Sequence, residues 1–192
     1  MKRTLINIIK ILLFAVGFVC AVWVFMPWRE AGKFAMSVAH SQLQSRGMRV
    51  GYSDVSGEND GFTVHNLTLS GMANISFSSV TLRPRILASI LGLAPVCDIS
   101  FRGGSVQIGQ VMSIGDGGVL VTVNRNEAML EQLHTNGDFS LNGYMTIDMG
   151  TRKIGRADAR LDVPEQFAAN MGMMRNFLPL VQEGGRWYLR RK

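Results

Sequence analysis

The alternation of apolar and polar residues between Phe139 and Val163 constrains this chain more than any other feature. Phe139, Leu141, Met145, Ile147 and Met149 hold odd positions, with Ser140, Asn142, Tyr144, Thr146 and Asp148 between them. After a turn at Gly150, Ala157, Ala159, Leu161 and Val163 keep that phase against Arg156, Asp158, Arg160 and Asp162. A period of two sends successive side chains to opposite faces of a strand. The segment therefore predicts an antiparallel hairpin with one dry face and one charged face. Ile147 falls on the dry side and Thr146 on the wet side. Asp158 and Asp162, with arginine neighbours, read as cross-strand ion pairs. The dry face needs a cover, from helices, from the sheet folding over itself, from lipid or from a partner.

The same period starts at Met48, Val50 and Tyr52, but its phase slips. Phe62 and Val64 are even whereas Leu67 and Leu69 are odd, and Ile75 and Phe77 give way to Val80 and Leu82. A slip of this kind marks a bulge or a bend, here at His65-Asn66, and repeated slips let a sheet curve strongly. Further strands are expected around Val96 to Arg102, Ser105 to Gln110, Val119 to Val123, and in the closing Arg-Trp-Tyr-Leu-Arg run. Gly115-Asp116-Gly117-Gly118 reads as a β-turn.

Helical spacing appears in four places. Ala31, Phe34, Ala35, Val38 and Ala39 predict a helix from Arg29 to Arg46, with Gly47 as its C-cap. Ile86 to Pro95 predicts one or two apolar turns, stopped by Gly92 and Pro95. Asn124 and Glu127 resemble a capping box for a short helix through Leu133. Pro164 starts a helix carrying Phe167, Met171, Met174 and Leu178 on one stripe, and that stripe is expected to close the dry face of the hairpin.

Residues Ile11 to Trp28 carry no charge. With Ile8 and Ile9 extending the run across a snorkelling Lys10, it is long enough for a transmembrane helix. Leu12, Phe14, Val19, Trp23 and Trp28 are the candidate anchor residues, the tryptophans falling near the outer end where amphipathic rings favour the headgroup layer. Bulky Phe25, Met26 and Trp28 at its end argue against a cleaved leader. Lys2, Arg3 and Lys10 keep the N-terminus in the cytoplasm. The chain thus divides into 1–28, a cytoplasmic stub and transmembrane anchor; 29–47, an amphipathic connecting helix; and 48–192, a β-rich domain outside the cytoplasm. The fold class is mainly β with flanking α: an N-terminal transmembrane helix, then a curved antiparallel sheet with two or three short packing helices.

The net charge of +6 is no nucleic-acid signal. Three of the cations precede or enter the apolar run, and Arg186, Arg190, Arg191 and Lys192 sit at the extreme end. No basic face with stacking aromatics remains. Cys20 and Cys97 fall on opposite sides of the expected membrane boundary, so no internal disulfide is expected. His40, His65 and His134 lack metal spacing, and no nucleophile, phosphate-loop or dinucleotide motif is present. The expectation is a protein without catalytic, cofactor or metal site. Met145, Ile147, Met149, Leu161, Phe167, Met171 and Met174 are the candidate docking or lipid face.

Several stretches, in order, resemble the type II secretion system protein N family, GspN, grouped with AsmA-like envelope proteins. They are the anchor ending in Met26-Pro27-Trp28, then MRVGYSDVSG from Met48, GFTVHNLTLSG from Gly61, VTLRPRILASILGLAPV from Val80, FRGGSVQIG from Phe101, the hairpin NGDFSLNGYMTIDMGTRKIGRADARLDVP from Asn136, and GGRWYLRR from Gly184. The resemblance implies a single-pass bacterial inner-membrane protein with a periplasmic domain, serving type II secretion without enzymatic activity. It implies other type II secretion subunits as partners, with phospholipid a further candidate, and offers no catalytic residue. AsmA-like or lipopolysaccharide-export-like lipid handling is the alternative. Many members continue beyond a final strand like the one here.

Overall fold

The computed structural model describes residues 10, 14, 17–18, 21–23, 25–45, 47–71, 73–108, 110–138, 140–151, 153–163, 179–183 and 186–191. They form one antiparallel sheet of 11 strands with two flanking helices, and residues 10, 14, 17–18 and 21–23 ahead of them are helical as well. Helix α1 is Trp28–Gln44 and α2 is Ile86–Gly92. The strands are β1 Arg49–Gly51, β2 Asp54–Gly57, β3 Phe62–Ser70, β4 Asn74–Pro84, β5 Val96–Ile108 and β6 Gln110–Val123. They continue with β7 Glu127–Thr135, β8 Ser140–Asp148, β9 Ile154–Asp162, β10 Leu180–Glu183 and β11 Arg186–Arg191. From β3 to β9 each strand pairs with its neighbours in sequence; β11 then inserts between β9 and β10, while β1 and β2 share the outer side of β3.

The phase slips line up across the sheet, as bends that keep the register in the β3–β4 and β4–β5 pairs and as register shifts from the β5–β6 pair onward. Asn66 (φ +51°), Gly103 (φ +58°), Gly115 (φ +70°) and Gln132 (φ +53°) are left-handed, one on each of β3, β5, β6 and β7. Pairing is interrupted at Asn66 and Ser78, and register shifts follow at Phe101 to Ser105, Gly118 to Leu120, Leu130 to Leu133 and Met145 to Ile147. The result is an oblique crease from β3 to β9. A bulge adds twist and bend. On β3, β4, β5 and β7 the apolar residues change parity at the crease, so the dry side stays dry across it.

This crease corrects two expectations. Gly115 to Gly118 is not a turn but the interior of β6, which runs through the expected break. The glycines are there for close approach: a Cβ on Gly117 would collide with the His134 carbonyl oxygen and come within 2.5 Å of the Phe101 ring. Likewise Val96 to Arg102 and Ser105 to Gln110 are largely one strand, β5, bent at Gly103.

The expected helix after Asn124 is also a strand, β7. Asn124 donates its backbone N–H to the Glu127 carbonyl at 2.8 Å, which closes a two-residue hairpin turn. Pairing with β6 on one side and β8 on the other overrides the helical propensity of Glu127, Ala128, Met129 and Leu130. The helix expected after Pro164, with Phe167, Met171 and Met174, lies outside the described residues, as do Leu12 and Val19 of the expected anchor. Among the described residues no helix is long and apolar enough to cross a membrane, so the transmembrane helix is not found there.

Two cores hold the ends of the sheet. At one end α1 packs on β1, β2 and β3 around Trp28, Met36, Val50, Val55, Phe62 and Val64. The helix buries Trp28, Gly32 and Met36, a stripe at i, i+4 and i+8. The stripe centred on Phe34 and Val38 is the outer one: these are 73% and 39% exposed. Gly32 sets the helix–sheet distance, because a Cβ there would lie 2.7 Å from both Phe62 and Val55. At the other end Ala157, Ala159, Leu161, Leu180, Trp187 and Leu189 form the second core, with Leu141, Met145, Ile154 and Val163 against it.

Candidate docking face

Directly paired residues of an antiparallel sheet project to the same side. The register therefore traces a continuous apolar row, Pro84–Cys97–Val121–Leu130–Met145–Ala157, across six strands. Beside it run Phe62–Leu82–Ile99–Val119 and Val123–Ala128–Ile147–Ile154. Phe77 and Phe101 meet edge to face at 5.2 Å between ring centroids. The opposite face is polar along its whole width: Ser56–Thr63–Thr81–Ser100–Gly118–His134–Asn142–Arg160–Tyr188. The one-sided sheet read from the β8–β9 hairpin thus extends across all the long strands.

Most side chains of the central apolar rows are half-buried rather than sealed. Among the described residues, α1 packs chiefly on β1 to β3, with Leu82 of β4 against the same core, and α2 chiefly on β5; neither makes an extensive contact with β6 to β9. Of the candidate docking residues, Met145 and Ile147 are half-buried on this face and Leu161 is buried beside Trp187. Met149 is not on it. It follows β8 in a turn and is 48% exposed, because Asp148 accepts the backbone N–H of Thr151 at 2.6 Å and its hydroxyl at 2.8 Å, ending the strand early. The Thr151 bonds also hold the Asp148 carboxyl below its ordinary range. Phe167, Met171 and Met174 lie outside the described residues.

Thr146 is on the polar side yet is 7% exposed. Its Oγ1 accepts the backbone N–H of Arg156 at 2.9 Å, where the β8–β9 register shifts. The wet side of the hairpin is therefore not uniformly wet. Asp158 does pair across strands, with Arg190 at 3.7 Å, whereas Asp162 pairs along its own strand with Arg160 at 2.9 Å.

Of the candidate anchor residues, Phe14 is helical and 76% exposed. Trp23 is half-buried, and Trp28 opens α1 instead of ending the apolar run. The two rings meet edge to face at 4.3 Å. The Trp28 Nε1–H is buried and has no hydrogen-bond partner among the described residues.

The titratable groups on this face are few. The Cys97 thiol is pushed up first by burial and then by the neighbouring Asp98. Among the described residues no group of three or more His, Cys, Asp and Glu could hold a metal. Sequence reading missed the contribution of Ile99, Phe101, Val119 and Leu130 to the face, although their spacing within β5, β6 and β7 carried the signal once the strands were known to be long.

Residues 5–191 match the family model described as type II secretion system protein GspN-like, Synergistales. The chain belongs to this GspN-like family. The match spans the N-terminal apolar segment, both cores and the creased sheet. Comparison with curated proteins and with solved structures finds no match. For this GspN-like chain the resemblance read from its separate stretches is thus extended to nearly its full length, and the sheet supplies the architecture that those stretches build.

Proposed function

We propose that this protein is a non-enzymatic accessory component of type II secretion, anchored in the bacterial inner membrane by its N-terminal segment, with the sheet in the periplasm. It docks to other envelope subunits through the apolar face of β4 to β9. The observation that carries the reading is the family match over residues 5–191. The half-buried rows through Cys97, Val121, Leu130 and Met145 support a docking role, since exposed apolar area of such extent on a soluble surface marks an interaction site. The test places a photo-crosslinking amino acid at Met145 or Ile147 in cells. Capture of another type II secretion subunit, with loss of secretion when the gene is deleted, supports the reading. Normal secretion without the protein overturns it.

One observation favours a second reading, lipid handling of the AsmA-like or lipopolysaccharide-export kind. The dry face runs unbroken through the crease, a shape suited to acyl chains. Crosslinks to phospholipid alone at Met145 would move the function to that class.

A further inference from the structure

One rim of the sheet differs from the rest of the surface. Along the row Pro84–Cys97–Val121–Leu130–Met145–Ala157–Arg191 the strands keep a common end. Just beyond that row come α2, the turn after Val123 and the turn after Asp148, while Arg191 ends the row itself. No charged residue stands between Arg85 and Asp98. Within this stretch Leu87 is 78% exposed, Ile90 55%, Leu91 84% and Leu93 93%. Val123 and Met149 add exposed apolar side chains on the neighbouring turns.

The apolar tip is held firmly. Arg85 donates its backbone N–H to Val96 at 2.8 Å, and Ser89 links the Arg85 carbonyl to the Val96 N–H through its hydroxyl, at 2.7 and 2.8 Å. Leu93 is left-handed, φ +51°, where glycine is the usual residue. A leucine there, almost fully exposed, gains nothing from the protein's own core.

Two further features give the rim its surroundings. Phe18, Val22, Trp23, Met26 and Trp28 line a cavity of about 350 Å³ together with Pro84 and Ile86, so the base of α2 abuts the end of the N-terminal apolar segment. Arg125, Lys153 and Arg191 are exposed on the same rim; the carboxylates of Glu127 and Asp148 stand there too, but the three cations form no ion pair among the described residues. Apolar side chains flanked by unpaired cations, next to a membrane-bound segment, match the interfacial layer of an anionic bilayer.

We infer that this rim rests on a phospholipid bilayer, with Leu87, Ile90, Leu91 and Leu93 among the acyl chains and Arg125, Lys153 and Arg191 against the phosphates. The strands then stand upright from the membrane, and the dry face opens at the leaflet. This inference rests on the reading that the N-terminal segment is the anchor.

The test uses the full chain with Cys20→Ala and Cys97→Ala, reconstituted into vesicles of phosphatidylcholine with or without phosphatidylglycerol. An environment-sensitive fluorophore is attached to Leu87→Cys, to Leu91→Cys or, as a control, to Val111→Cys. Val111 lies near the start of β6, opposite Gln107 at the far end of β5, on the order of 40 Å along the strand. The expected result is a blue shift and quenching by nitroxide lipids at 87 and 91, with neither at 111. Arg125→Gln with Lys153→Gln and Arg191→Gln should lessen that quenching only in vesicles containing phosphatidylglycerol. Water-exposed labels at 87 and 91 on protein that floats with the vesicles would overturn the rim assignment and leave the anchor standing. Protein that fails to float would overturn both. Equal quenching with and without the three arginine and lysine changes would remove the headgroup contact from the proposal.

Discussion

The crease can be tested at Gly117. There β6 lies between Phe101 of β5 and Thr135 of β7. Alanine would place a Cβ in collision with the His134 carbonyl oxygen and 2.5 Å from Phe101 Cζ. A side chain can swing away, but a paired strand's carbonyl cannot do so without loosening the ladder. Overpacking typically costs about 1–3 kcal/mol, and a backbone collision belongs at the upper end. Alanine returns about 0.4–1 kcal/mol by restricting the unfolded chain. Gly117→Ala should therefore lose about 2–3 kcal/mol, or roughly 5–10 °C in melting temperature for a chain of this size. Gly92→Ala is the control, because nothing lies within 4 Å of a Cβ there. It closes α2 and should be neutral or gain up to about 1 kcal/mol. Thermal unfolding in detergent micelles, followed by circular dichroism, reads both. Equal melting temperatures for the two variants would refute the close approach.

Leu161→Ala should cost about 2–5 kcal/mol by opening a cavity beside Trp187, while Met149→Ala should stay within about 0.5 kcal/mol; urea unfolding compares them. Thr146→Val keeps the shape but strips the Arg156 N–H of its acceptor, so a loss of about 1–3 kcal/mol is expected in the same assay, and a silent change would mean that water reaches this site. The Glu58 carboxyl is held below its ordinary value of 4.5, first by the Thr63 hydroxyl and then by Arg83. A lowered folded value contributes stability that is present above the unfolded value and is lost as pH falls through the folded one. An acid titration of stability below pH 4.5 should therefore be shallower for Glu58→Gln than for the wild type.

The β8–β9 hairpin was legible because its apolar residues keep one parity and nothing else competes. The bends at Asn66 and Ser78 were legible for the same reason: a change of parity has few other physical causes. Strand β7 was not, since Glu127 to Leu130 favour a helix locally and only partners on both sides make them a strand. The glycines of β6 were misread because close packing against Phe101 and His134 leaves no local trace; Gly-Asp-Gly-Gly looks the same in a turn. On α1, Phe34 and Val38 are larger than Gly32 and drew the helix face outward, whereas the sheet selected the stripe with the smallest residue at its centre. The apolar face itself could be inferred only in part, because it is made by register across strands rather than by any one segment.

The strand order has a consequence for strand addition between copies of this chain. A long unpaired edge invites another chain to add to it. Here the sheet tapers: β1 and β2, of three and four residues, share one border, and β10, of four, forms the other. The break between β1 and β2 faces the left-handed Asn66, where Ser53 donates to the His65 carbonyl and accepts from Asn66. The nine residues of β3 are thereby covered by two mismatched short pieces rather than one straight strand. A fragment begun after Gly57 would lay β3 bare along its length and hand it to any neighbouring copy. A fragment meant to remain soluble must keep everything from Trp28 onward, and the elements with the fewest residues are the ones that hold intermolecular strand addition in check.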